Sequence, residues 1–556
     1  MLSNASISDM FSLFSKLMDI HQENSFKAKS YSTAAYTIDK LPQGITEIPR
    51  EKLFSIKGIG ESSANKIIEI LETGRMVQLE ELIAKTPEGV LEMLQIKGIG
   101  PKKISTIWKE MGIESLGELL YACNENRLLL YKGFGEKTQQ NVAESIEFYL
   151  RSQGHFLYAE IEDYAKAFQQ MLRKEFPDQR FESCGEFARQ QPTIETLEWV
   201  TDLQSFILIK FLTGNGFVVE TLDETIIKLK GHEQVLLTFN CTTESEFHKT
   251  LFACNGSADF INSWKEQYPA SLSNPTSEEE IFNIASINYI PVCQREEKEI
   301  IELARISTLP DSIRVEDIRG IIHSHSDWSD GSNKVEDMAK ACIDKGFEYL
   351  VISDHSKSAF YANGLSEERI KEQHKYIDEL NKKLAPFKIF KSIESDILND
   401  GSLDYSTSLL GTFDLVIASV HSNLKMSEEK AMQRVIRAIE NPYTTILGHP
   451  TGRLLLSRKG YPLDHEKIID ACIANKVAIE INAHPRRLDL DWKWVRKAQK
   501  KGAILSINPD AHNTEGYNDI RYGVLVAQKG GLQKSNNLSS LSLVEFEHYL
   551  SSVRRY

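Results

Sequence analysis

Seven short apolar runs after residue 319 constrain the fold of this chain more than any other feature of its sequence. Each has the length of a buried strand and ends in a side chain of the kind that binds metals. The runs are IIHSH (321–325), YLVISDH (349–355), IFKSIE (389–394), LVIASVH (415–421), TTILGH (444–449), VAIEIN (477–482) and AILSINPDAH (503–512). Because helical sequence separates most of them, the pattern predicts repeated β/α units whose buried parallel strands form a sheet or a barrel.

The carboxyl ends of the strands in such a barrel share one face, so side chains that are distant in sequence meet there. This predicts one bowl that contains His323, His325, His355, Glu394, His421, His449, Asp510 and His512. A single histidine in a barrel is usually a core residue, but this recurring order predicts a multinuclear metal site. We interpret the histidines outside this context, His232, His248, His374 and His465, as surface or structural residues.

Length and composition indicate a large soluble protein. A chain of 556 residues suggests three or four domains, and 41% hydrophobic and 26% charged residues are typical of globular proteins. The seven cysteines never form a CxxC pair, which argues against a thiolate zinc site and a disulfide framework. No apolar stretch approaches the ~18 residues of a membrane helix, and the N-terminus lacks the basic region of a signal peptide. We therefore expect a cytoplasmic protein without a membrane partner.

A Lys-Gly-x-Gly segment, in which x is an isoleucine or a phenylalanine, is repeated in the first part of the chain. Two copies, LFSIKGIGESSANKIIEIL (53–71) and MLQIKGIGPKKISTIWKEM (93–111), are nearly identical, and LLLYKGFGEKTQQNVAESI (128–146) is a weaker third. Two glycines allow a tight turn, and the following helix starts with free N–H groups that suit a phosphate. The candidate DNA-binding residues are Gly58, Gly60, Gly98, Gly100, Lys102, Lys103, Gly133 and Gly135.

These segments resemble helix-hairpin-helix motifs, which hold a DNA backbone without reading its sequence. A purely structural hairpin turn is the alternative. The net charge of −14 argues against a broad nucleic-acid surface, so we expect any DNA contact to be local.

The middle of the chain has a mixed α/β pattern. Strands are predicted at FILIKFL (206–212), ETIIKLK (224–230) and QVLLTFN (234–240), and the polar, charged stretch 270–318 has the composition of a connector.

Taken in this order, the chain resembles a bacterial family X DNA polymerase with a C-terminal PHP (polymerase and histidinol phosphatase) domain. The motifs after residue 319 that carry the resemblance are HSHSDWSDG, SDHSKS, NGLSEERI, SIESDI, ASVHS, LGHPTGR, EINAHPRRLDLD and INPDAH. The polymerase region matches more weakly, through TLFACNGSADFIN and EEEIFNIASINYIP. The resemblance implies a multidomain α and α/β protein with a helix-hairpin-helix N-terminal region, a nucleotidyltransferase-like (degenerate polymerase) middle region and a distorted C-terminal (β/α)7 barrel.

The resemblance also implies the domain boundaries. We expect an N-terminal helical, lyase-like DNA-binding domain at 1–90 with the first hairpin, and a fingers-like region with the second hairpin at 91–150. A degenerate palm- and thumb-like polymerase domain follows at 151–290, then a linker at 291–318. The PHP phosphoesterase domain is expected at 319–556.

The family pattern implies three metal sites that share one bowl. His323, His325 and Asp510 would bind one ion, Glu394 would bridge it to a second ion at His421 and His449, and Asp330, His355 and His512 would bind a third. Imidazoles with few carboxylates suit Zn²⁺, Mn²⁺ or Fe²⁺ better than Mg²⁺, and the resemblance favours Mn²⁺ with Zn²⁺ as the alternative occupant. The expected nucleophile is a metal-bound water activated by the cluster.

Cationic residues follow several of the ligand-bearing strands. Lys357, Arg453, Arg458 and Arg487, together with His484, are candidates to bind substrate phosphates, and solvated loop cations are the alternative. Asp354 is expected either to orient a ligand or to cap a helix.

The polymerase resemblance is weakest at the polymerase active site. Family members carry a Gly-Ser turn, an Asp-x-Asp pair and a third Asp, which together hold Mg²⁺. The expected positions hold Gly185-Glu186 for the turn, Glu195 and Leu197 for the pair, and Leu236 for the third carboxylate. No Asp-x-Asp occurs between residues 180 and 240, so we interpret this region as a polymerase fold without activity; a site rebuilt from Glu195 and Glu198 is the alternative.

Family members with sugar-phosphate lyase activity use a lysine on the helix after the first hairpin as a Schiff-base nucleophile. Lys66 occupies that position, with Lys27 and Tyr31 near the supporting positions. A simple phosphate contact by this lysine is the alternative.

These features together predict a DNA-repair enzyme, a metal-dependent 3′-5′ exonuclease that also processes abasic sites or blocked 3′ ends. Its expected partner is gapped, nicked or 3′-ended DNA, bound independently of sequence by a monomer. The alternatives are a PHP-type phosphatase of a small phosphomonoester, an active DNA polymerase and a DNA-binding scaffold.

Overall fold

The computed structural model describes residues 4–41, 43–151, 154–223, 225–231 and 235–553. The chain divides into two compact units, residues 1–149 and 150–556. Within the described ranges, no helix combines the length and the apolar character that crossing a membrane requires. His232 lies outside the described residues.

The first unit is helical. Its helices are α1 (Asn4–Ile20), α2 (Ser25–Asp39), α3 (Arg50–Leu53), α4 (Glu61–Thr73), α5 (Val77–Lys85), α6 (Glu88–Glu92), α7 (Pro101–Lys109), α8 (Leu116–Asn124) and α9 (Glu136–Arg151). The Asn24 side chain accepts hydrogen bonds from the first amides of α2 and so starts that helix. Phe14 of α1 packs on Tyr31 of α2 with ring centroids 4.9 Å apart, which pairs the two helices.

The three glycine repeats adopt the same turn. Gly58, Gly98 and Gly133 have φ angles of 97°, 92° and 96°, a left-handed conformation that residues with a side chain rarely adopt. Two residues later, Gly60 and Gly100 immediately precede α4 and α7. The sequence therefore predicts these turns correctly.

The second unit begins with a mixed sheet and its helices. They are β1 (Phe156–Leu157), α10 (Tyr158–Glu175), β2 (Phe181–Cys184), α11 (Gly185–Ala188), β3 (Thr193–Ile194), β4 (Thr196–Thr201), α12 (Ser205–Gly214), β5 (Val218–Leu222), β6 (Ile226–Lys230) and β7 (Leu236–Cys241). Five strands form a sheet in the order β2-β4-β7-β6-β5, in which only β4 and β7 are parallel. β1 and β3 pair separately.

The strand predicted at FILIKFL is wrong, because residues 206–212 lie within helix α12. Leu208 and Leu212, four residues apart, are fully buried, whereas Phe206 is 66% exposed, which is the pattern of one helical face. A seven-residue apolar run fits a strand or a buried helix equally well. The other two predicted strands correspond to β6 and β7.

The stretch that we expected to be a connector is folded. It follows α13 (Phe247–Cys254) and α14 (Ala258–Gln267) and includes α15 (Glu278–Ala285) and α16 (Glu299–Ile306). Ile300 and Ile301 of α16 are buried in a cluster with Phe252, Trp264 and Phe282. Residues 291–318 are therefore packed against the preceding helices by their own apolar side chains and do not form a free linker.

All seven predicted strands are confirmed in the C-terminal region. The elements are β8 (Gly320–Ile321), α17 (Val335–Asp344), β9 (Tyr349–Ile352), α18 (Glu367–Leu384), β10 (Lys388–Asp396), α19 (Thr407–Leu410), β11 (Leu415–Ser419), α20 (Glu428–Glu440), β12 (Ile446–Leu447), α21 (His465–Ala474), β13 (Ala478–Asn482), α22 (Trp492–Lys501), β14 (Leu505–Asn508), α23 (Ile520–Lys529) and α24 (Leu543–Val553). The strands are parallel and adjacent in chain order.

The seven strands form a nearly closed barrel. A parallel bridge between Ser324 and Ala511 connects the residues that follow β8 and β14. Phe546 of α24 stacks on Tyr349, the first residue of β9, with centroids 4.6 Å apart, and both belong to an apolar cluster that contains Leu415, the first residue of β11. Helix α24 therefore covers the amino ends of the strands, and the ligand-type residues lie at the carboxyl ends.

Candidate functional site

The carboxyl ends of the barrel strands bring the nine predicted metal ligands together. These residues are His323, His325, Asp330, His355, Glu394, His421, His449, Asp510 and His512. None of their side chains is more than 7% exposed. Six imidazoles and three carboxylates in a buried cluster of this kind are a donor set for divalent metal ions.

Glu394 lies at the centre of the cluster. Its Oε1 is 3.1 Å from His421 Nε2, 3.0 Å from His449 Nε2 and 3.3 Å from His323 Nε2. Its Oε2 is 2.9 Å from His355 Nδ1. A carboxylate that contacts four imidazoles through both oxygens is placed to bridge neighbouring ions.

The other two carboxylates lie on either side of His325. Asp510 Oδ1 is 3.0 Å from His325 Nε2 and 3.3 Å from His323 Nε2. Asp330 lies 3.5 Å from Nε2 of both His355 and His512. In the part of the chain that the structure describes, eight of the nine side chains fall into three overlapping groups that could each hold an ion, and His325 and His355 each belong to two groups. His449, which we expected at the second ion with His421, is in none of these groups and contacts Glu394 instead.

Unsatisfied buried atoms show that this donor set fits metal ions. Among the described residues, several buried ligand atoms have no hydrogen bond of proper geometry: His323 Nε2, His325 Nδ1, Asp330 Oδ2, both ring nitrogens of His355, Glu394 Oε2 and His449 Nδ1. Buried polar atoms without partners are costly unless another group satisfies them. His323, Asp510 and His449 also have φ angles of 65°, 53° and 22°, so the backbone is strained at three ligands.

Two buried carboxylates that the sequence analysis missed hold ligand histidines from behind. Glu480 Oε2 lies 2.7 Å from His323 Nδ1, and Asp396 Oδ1 lies 2.8 Å from His421 Nδ1. Partners of this kind fix the orientation of a ligand imidazole. Their sequence signature was an acidic residue inside an apolar strand, in VAIEIN and in SIESD.

Asp354 holds the loop between two ligands. Its carboxylate accepts hydrogen bonds from the Ser326 amide at 2.8 Å, from the Ser329 hydroxyl at 2.5 Å and from the Gln373 amide group at 2.6 Å. These contacts fix the segment between His325 and Asp330, which is compatible with the orienting role that we predicted for Asp354.

The cluster keeps its central groups charged. Burial opposes ionisation of Glu394, but His421 and His323 hold the pKa of this carboxyl well below its usual range. Burial likewise opposes protonation of His421, yet Glu394 and Asp396 raise its pKa to about 10. The two groups stabilise each other's charge in a region that excludes water.

The predicted phosphate-binding residues have different surroundings. Arg487 is 4% exposed, and its Nε lies 3.6 Å from Asp510 Oδ2, inside the bowl. Arg487 thus lies beside a ligand carboxylate.

Two of the other predicted cations hold loops. Arg453 binds the Arg487 carbonyl and Asp491, and Arg458 binds the Gly452 carbonyl. The remaining two are Lys357, whose side chain is 46% exposed beside Glu367, and His484, whose Nδ1 accepts the Arg486 amide.

In the polymerase-like sheet, the residues of β4 that face the Gly185 turn differ by one position from those that we expected. Leu197 is 1% exposed in the core, and the Glu195 side chain is 66% exposed outside β4, so these residues do not form a pair on one face. A Cβ at Gly185 would lie 2.3 Å from Glu198 Oε1, so Glu198 is the residue that faces the turn.

Thr196 lies on the same face of β4 as Glu198 and opposite Leu236 in β7. The Thr196 Oγ1 is 3.0 Å from Thr238 Oγ1. Strand alternation therefore shifts the expected pair by one residue, to Thr196 and Glu198. Burial raises the pKa of Glu198, which favours the neutral form of this carboxyl.

The hairpin turns present accessible backbone amides. A Cβ added at Gly60, Gly100 or Gly135 would meet no atom within 4 Å, so packing does not require glycine at these positions. The open space leaves room for a phosphate to approach the amides at the start of the next helix. Lys102 is exposed, and Lys103 lies 5.5 Å from the Phe134 ring of the third repeat.

Lys66 lies in a different environment from the other hairpin lysines. It is 7% exposed, and its Nζ lies 5.1 Å from the Phe14 ring and 5.9 Å from the Tyr31 ring. Burial lowers the pKa of its amine. Tyr31 is buried and hydrogen-bonds Ser62 at 2.7 Å, whereas Lys27 is exposed.

The histidines that we assigned structural roles pack against aromatic rings away from the bowl. His374 lies edge-on to Phe413 at 4.9 Å, and burial lowers its pKa to about 4. His465 stacks on Trp494 at 4.5 Å, and His248 contacts Phe247 at 5.4 Å.

Three family models match the chain. A helix-hairpin-helix domain matches residues 3–76, and a SAM-like helix-hairpin-helix tandem matches residues 90–147. The PHP domain matches residues 322–484, which include all the barrel strands except the first and the last.

Curated relatives match the whole chain or its C-terminal part. The DNA polymerase/3′-5′ exonuclease PolX of Bacillus subtilis strain 168 is 31% identical, and the alignment covers 96% of both chains. A probable phosphatase of Thermoanaerobacter sp. strain X514 is 25% identical across 42% of this chain and 94% of its own length. A probable phosphatase of Acetivibrio thermocellus is 29% identical across 34% of this chain and 78% of its own length.

Proposed function

Because the chain belongs to the PolX family of DNA polymerase/3′-5′ exonucleases, we propose that it removes nucleotides from DNA 3′ ends at the barrel metal cluster. It is a metal-dependent phosphoesterase, and the observation that carries the proposal is the contact of Glu394 with four buried imidazoles. The barrel from residue 319 onward would hydrolyse DNA, and residues 1–150 would hold it.

The cluster suits three divalent ions, with Mn²⁺ favoured, Zn²⁺ as the alternative occupant and Fe²⁺ also compatible. Divalent ions in such clusters activate water for attack and neutralise the charge of a phosphoester. Among the protein's own groups, Arg487 would bind a phosphate oxygen beside Asp510, and Glu480 and Asp396 would keep two ligand imidazoles in orientation.

The hairpin turns would bring DNA to the enzyme without sequence preference. Gapped, nicked or 3′-ended DNA fits this proposal, because amide contacts to phosphates depend on the backbone alone. We also propose that the protein acts in DNA repair as a monomer. Since these contacts are few and local, a chain with a net charge of −14 can bind DNA in this way.

We propose that polymerase activity is lost. The face of β4 and β7 that packs on Gly185 carries Thr196, Glu198, Leu236 and Thr238, and so offers one carboxylate. Nucleotidyl transfer by two Mg²⁺ ions needs several carboxylates, and leucine and threonine do not replace them.

A phosphatase acting on a small phosphomonoester is the competing function, supported by the probable phosphatases that match the barrel. The test compares kcat/KM for a 3′-recessed DNA duplex with that for p-nitrophenyl phosphate. We expect the DNA to be the better substrate, and Glu394→Ala to abolish its hydrolysis while Glu440→Ala, on the exposed end of α20, has no effect. Faster hydrolysis of the monoester would favour the phosphatase.

A second activity, sugar-phosphate lysis at abasic sites, is favoured by one observation. Lys66 is a buried amine with a lowered pKa, and a neutral amine is the form that attacks an aldehyde. Borohydride should trap the wild type on DNA that carries a 5′-deoxyribose phosphate, and Lys66→Ala should not be trapped. Lys57→Ala, which changes an exposed lysine of the same hairpin, is the matched control. Equal trapping of Lys66→Ala would overturn this assignment.

A further inference from the structure

The loop after β13 carries Arg487 into the metal cluster. Asn482, the last residue of β13, donates a hydrogen bond to Asp510 Oδ2 at 3.0 Å, and the Asp489 carbonyl accepts the Asn482 amide at 2.6 Å. Residues 483–491 therefore leave the barrel and return to it beside a metal ligand. The position of the Arg487 guanidinium depends on how this loop is held.

Part of the polymerase-like region holds this loop. Arg486, the residue before Arg487, is 6% exposed and donates from Nη2 to Glu160 Oε1 of α10 at 2.9 Å. The other oxygen of Glu160 accepts the Leu157 amide at 2.9 Å. Tyr158 and Ala159, in the same turn of α10, pack against the barrel core. The carboxylate is thus fixed by its own helix and by the loop together.

Helix α23 makes other polar contacts between the same two regions, away from the loop. Arg521 of α23 pairs with Glu162 at 3.2 Å, and the Tyr522 hydroxyl lies 3.4 Å from the same carboxylate. Helix α23 carries none of the nine ligand-type residues. Glu162 therefore contributes to docking of the two regions, whereas Glu160 contacts the loop, and mutation can separate the two effects.

We propose that Glu160 is a positioning residue of the phosphoesterase site, acting through Arg486 to place Arg487 beside the scissile phosphate. This inference rests on the proposed nuclease function. It gives the polymerase-like region a role in hydrolysis that needs none of the polymerase carboxylates. Arg486 is buried and Glu160 has a second fixed contact, so the pair is a rigid support for the loop. A displacement of about 1 Å at a catalytic site can reduce the rate about 100-fold.

The test compares Glu160→Gln with Glu162→Gln. Glutamine keeps an oxygen for the Leu157 amide but then turns its NH₂ group toward the Arg486 donor, so the loop loses its contact with Glu160. We expect Glu160→Gln to lower kcat on 3′-ended DNA about 10- to 100-fold with a small change in KM, metal content and melting temperature. Amide hydrogen exchange in residues 484–491 should rise in this variant alone.

The outcomes separate the two proposals. Wild-type protein that leaves DNA intact, with Mn²⁺ bound, would overturn the proposed function, whatever the exchange data show. If the wild type digests DNA and Glu160→Gln digests it at the same rate, the positioning role is wrong. Equal losses in Glu160→Gln and Glu162→Gln would assign the effect to docking of the two regions and would also overturn it.

Discussion

His323 Nδ1 lies 2.7 Å from Glu480 Oε2, and both side chains are fully buried. Burial opposes ionisation of Glu480, but His323 holds the pKa of its carboxyl below the usual range. An ionised carboxylate only accepts hydrogen bonds, so Nδ1 of His323 carries the proton and Nε2 is left to face Glu394 and Asp510. When Nε2 gives up its proton to bind a metal ion, the contact with Glu480 keeps the remaining proton on Nδ1.

Replacing Glu480 with glutamine should weaken metal binding. The amide cannot hold the His323 proton as strongly, and losses of support behind a ligand typically cost about 10- to 100-fold in affinity. Titration of the metal-free protein with Mn²⁺ in competition with a chelating dye measures this directly. Glu379→Gln, on the exposed side of α18, is the control and should bind Mn²⁺ like the wild type; equal affinity of the two variants would remove Glu480 from the site.

Metal ions should stabilise the barrel through the ligand cluster. A ligand that binds only the folded state raises its stability by mass action, so saturating Mn²⁺ should raise the melting temperature of the chelator-treated protein. Glu394→Ala removes the central carboxylate and should reduce this shift by more than half. Calorimetry with and without Mn²⁺ gives the measurement, and an unchanged shift in the variant would place the ions elsewhere.

Gly100→Val should weaken DNA binding without unfolding the hairpin. Gly100 has φ −102° and ψ 174°, which valine adopts readily, and the added side chain would project into open space where a phosphate must approach. Loss of one amide–phosphate contact corresponds to an affinity reduction of roughly 10-fold. Fluorescence anisotropy with a gapped duplex measures it, and Gly214→Val, another open position, is the control. Wild-type affinity in Gly100→Val would argue for a purely structural turn.

Asp519 should make the stability of the chain depend on pH. Burial raises the pKa of its carboxyl from 3.8 to about 7. Between these values the unfolded chain releases a proton that the folded chain keeps, so stability falls as the pH rises from 3.8 toward 7. The stability of Asp519→Asn should not fall in this way. Its urea midpoint should therefore exceed that of the wild type at pH 8, and by a smaller amount at pH 5. Exposed Asp344→Asn should gain nothing, and a pH-independent difference for Asp519→Asn would contradict the assignment.

Much of the barrel and its ligand set could be predicted from the sequence. Each strand is buried on both faces, so it appears as an uninterrupted apolar run, and the ligand follows where the run ends. Glu480 and Asp396 were missed because the pattern does not distinguish an acidic residue behind a ligand from a ligand such as Glu394. Only the folded barrel shows that they stand behind His323 and His421.

The polymerase-like region was harder to predict for two physical reasons. The apolar run 206–212 fits a helix as well as a strand, and the sequence alone did not decide between them. The pair position moved from Glu195 and Leu197 to Thr196 and Glu198 because a shift of one residue exchanges the two faces of a strand. Contacts such as Arg486 with Glu160 join residues hundreds of positions apart and leave no local pattern.

The most direct measurement follows a 5′-labelled gapped duplex incubated with Mn²⁺-loaded protein, with and without nucleoside triphosphates, beside the Glu394→Ala variant. A 5′ label reports removal from the 3′ end as a ladder of progressively shorter strands. We predict Mn²⁺-dependent shortening by the wild type, none by the variant despite retained DNA binding, and no lengthening when nucleotides are present. Equal shortening by Glu394→Ala would contradict the barrel site, and extension of the primer would contradict the loss of polymerase activity.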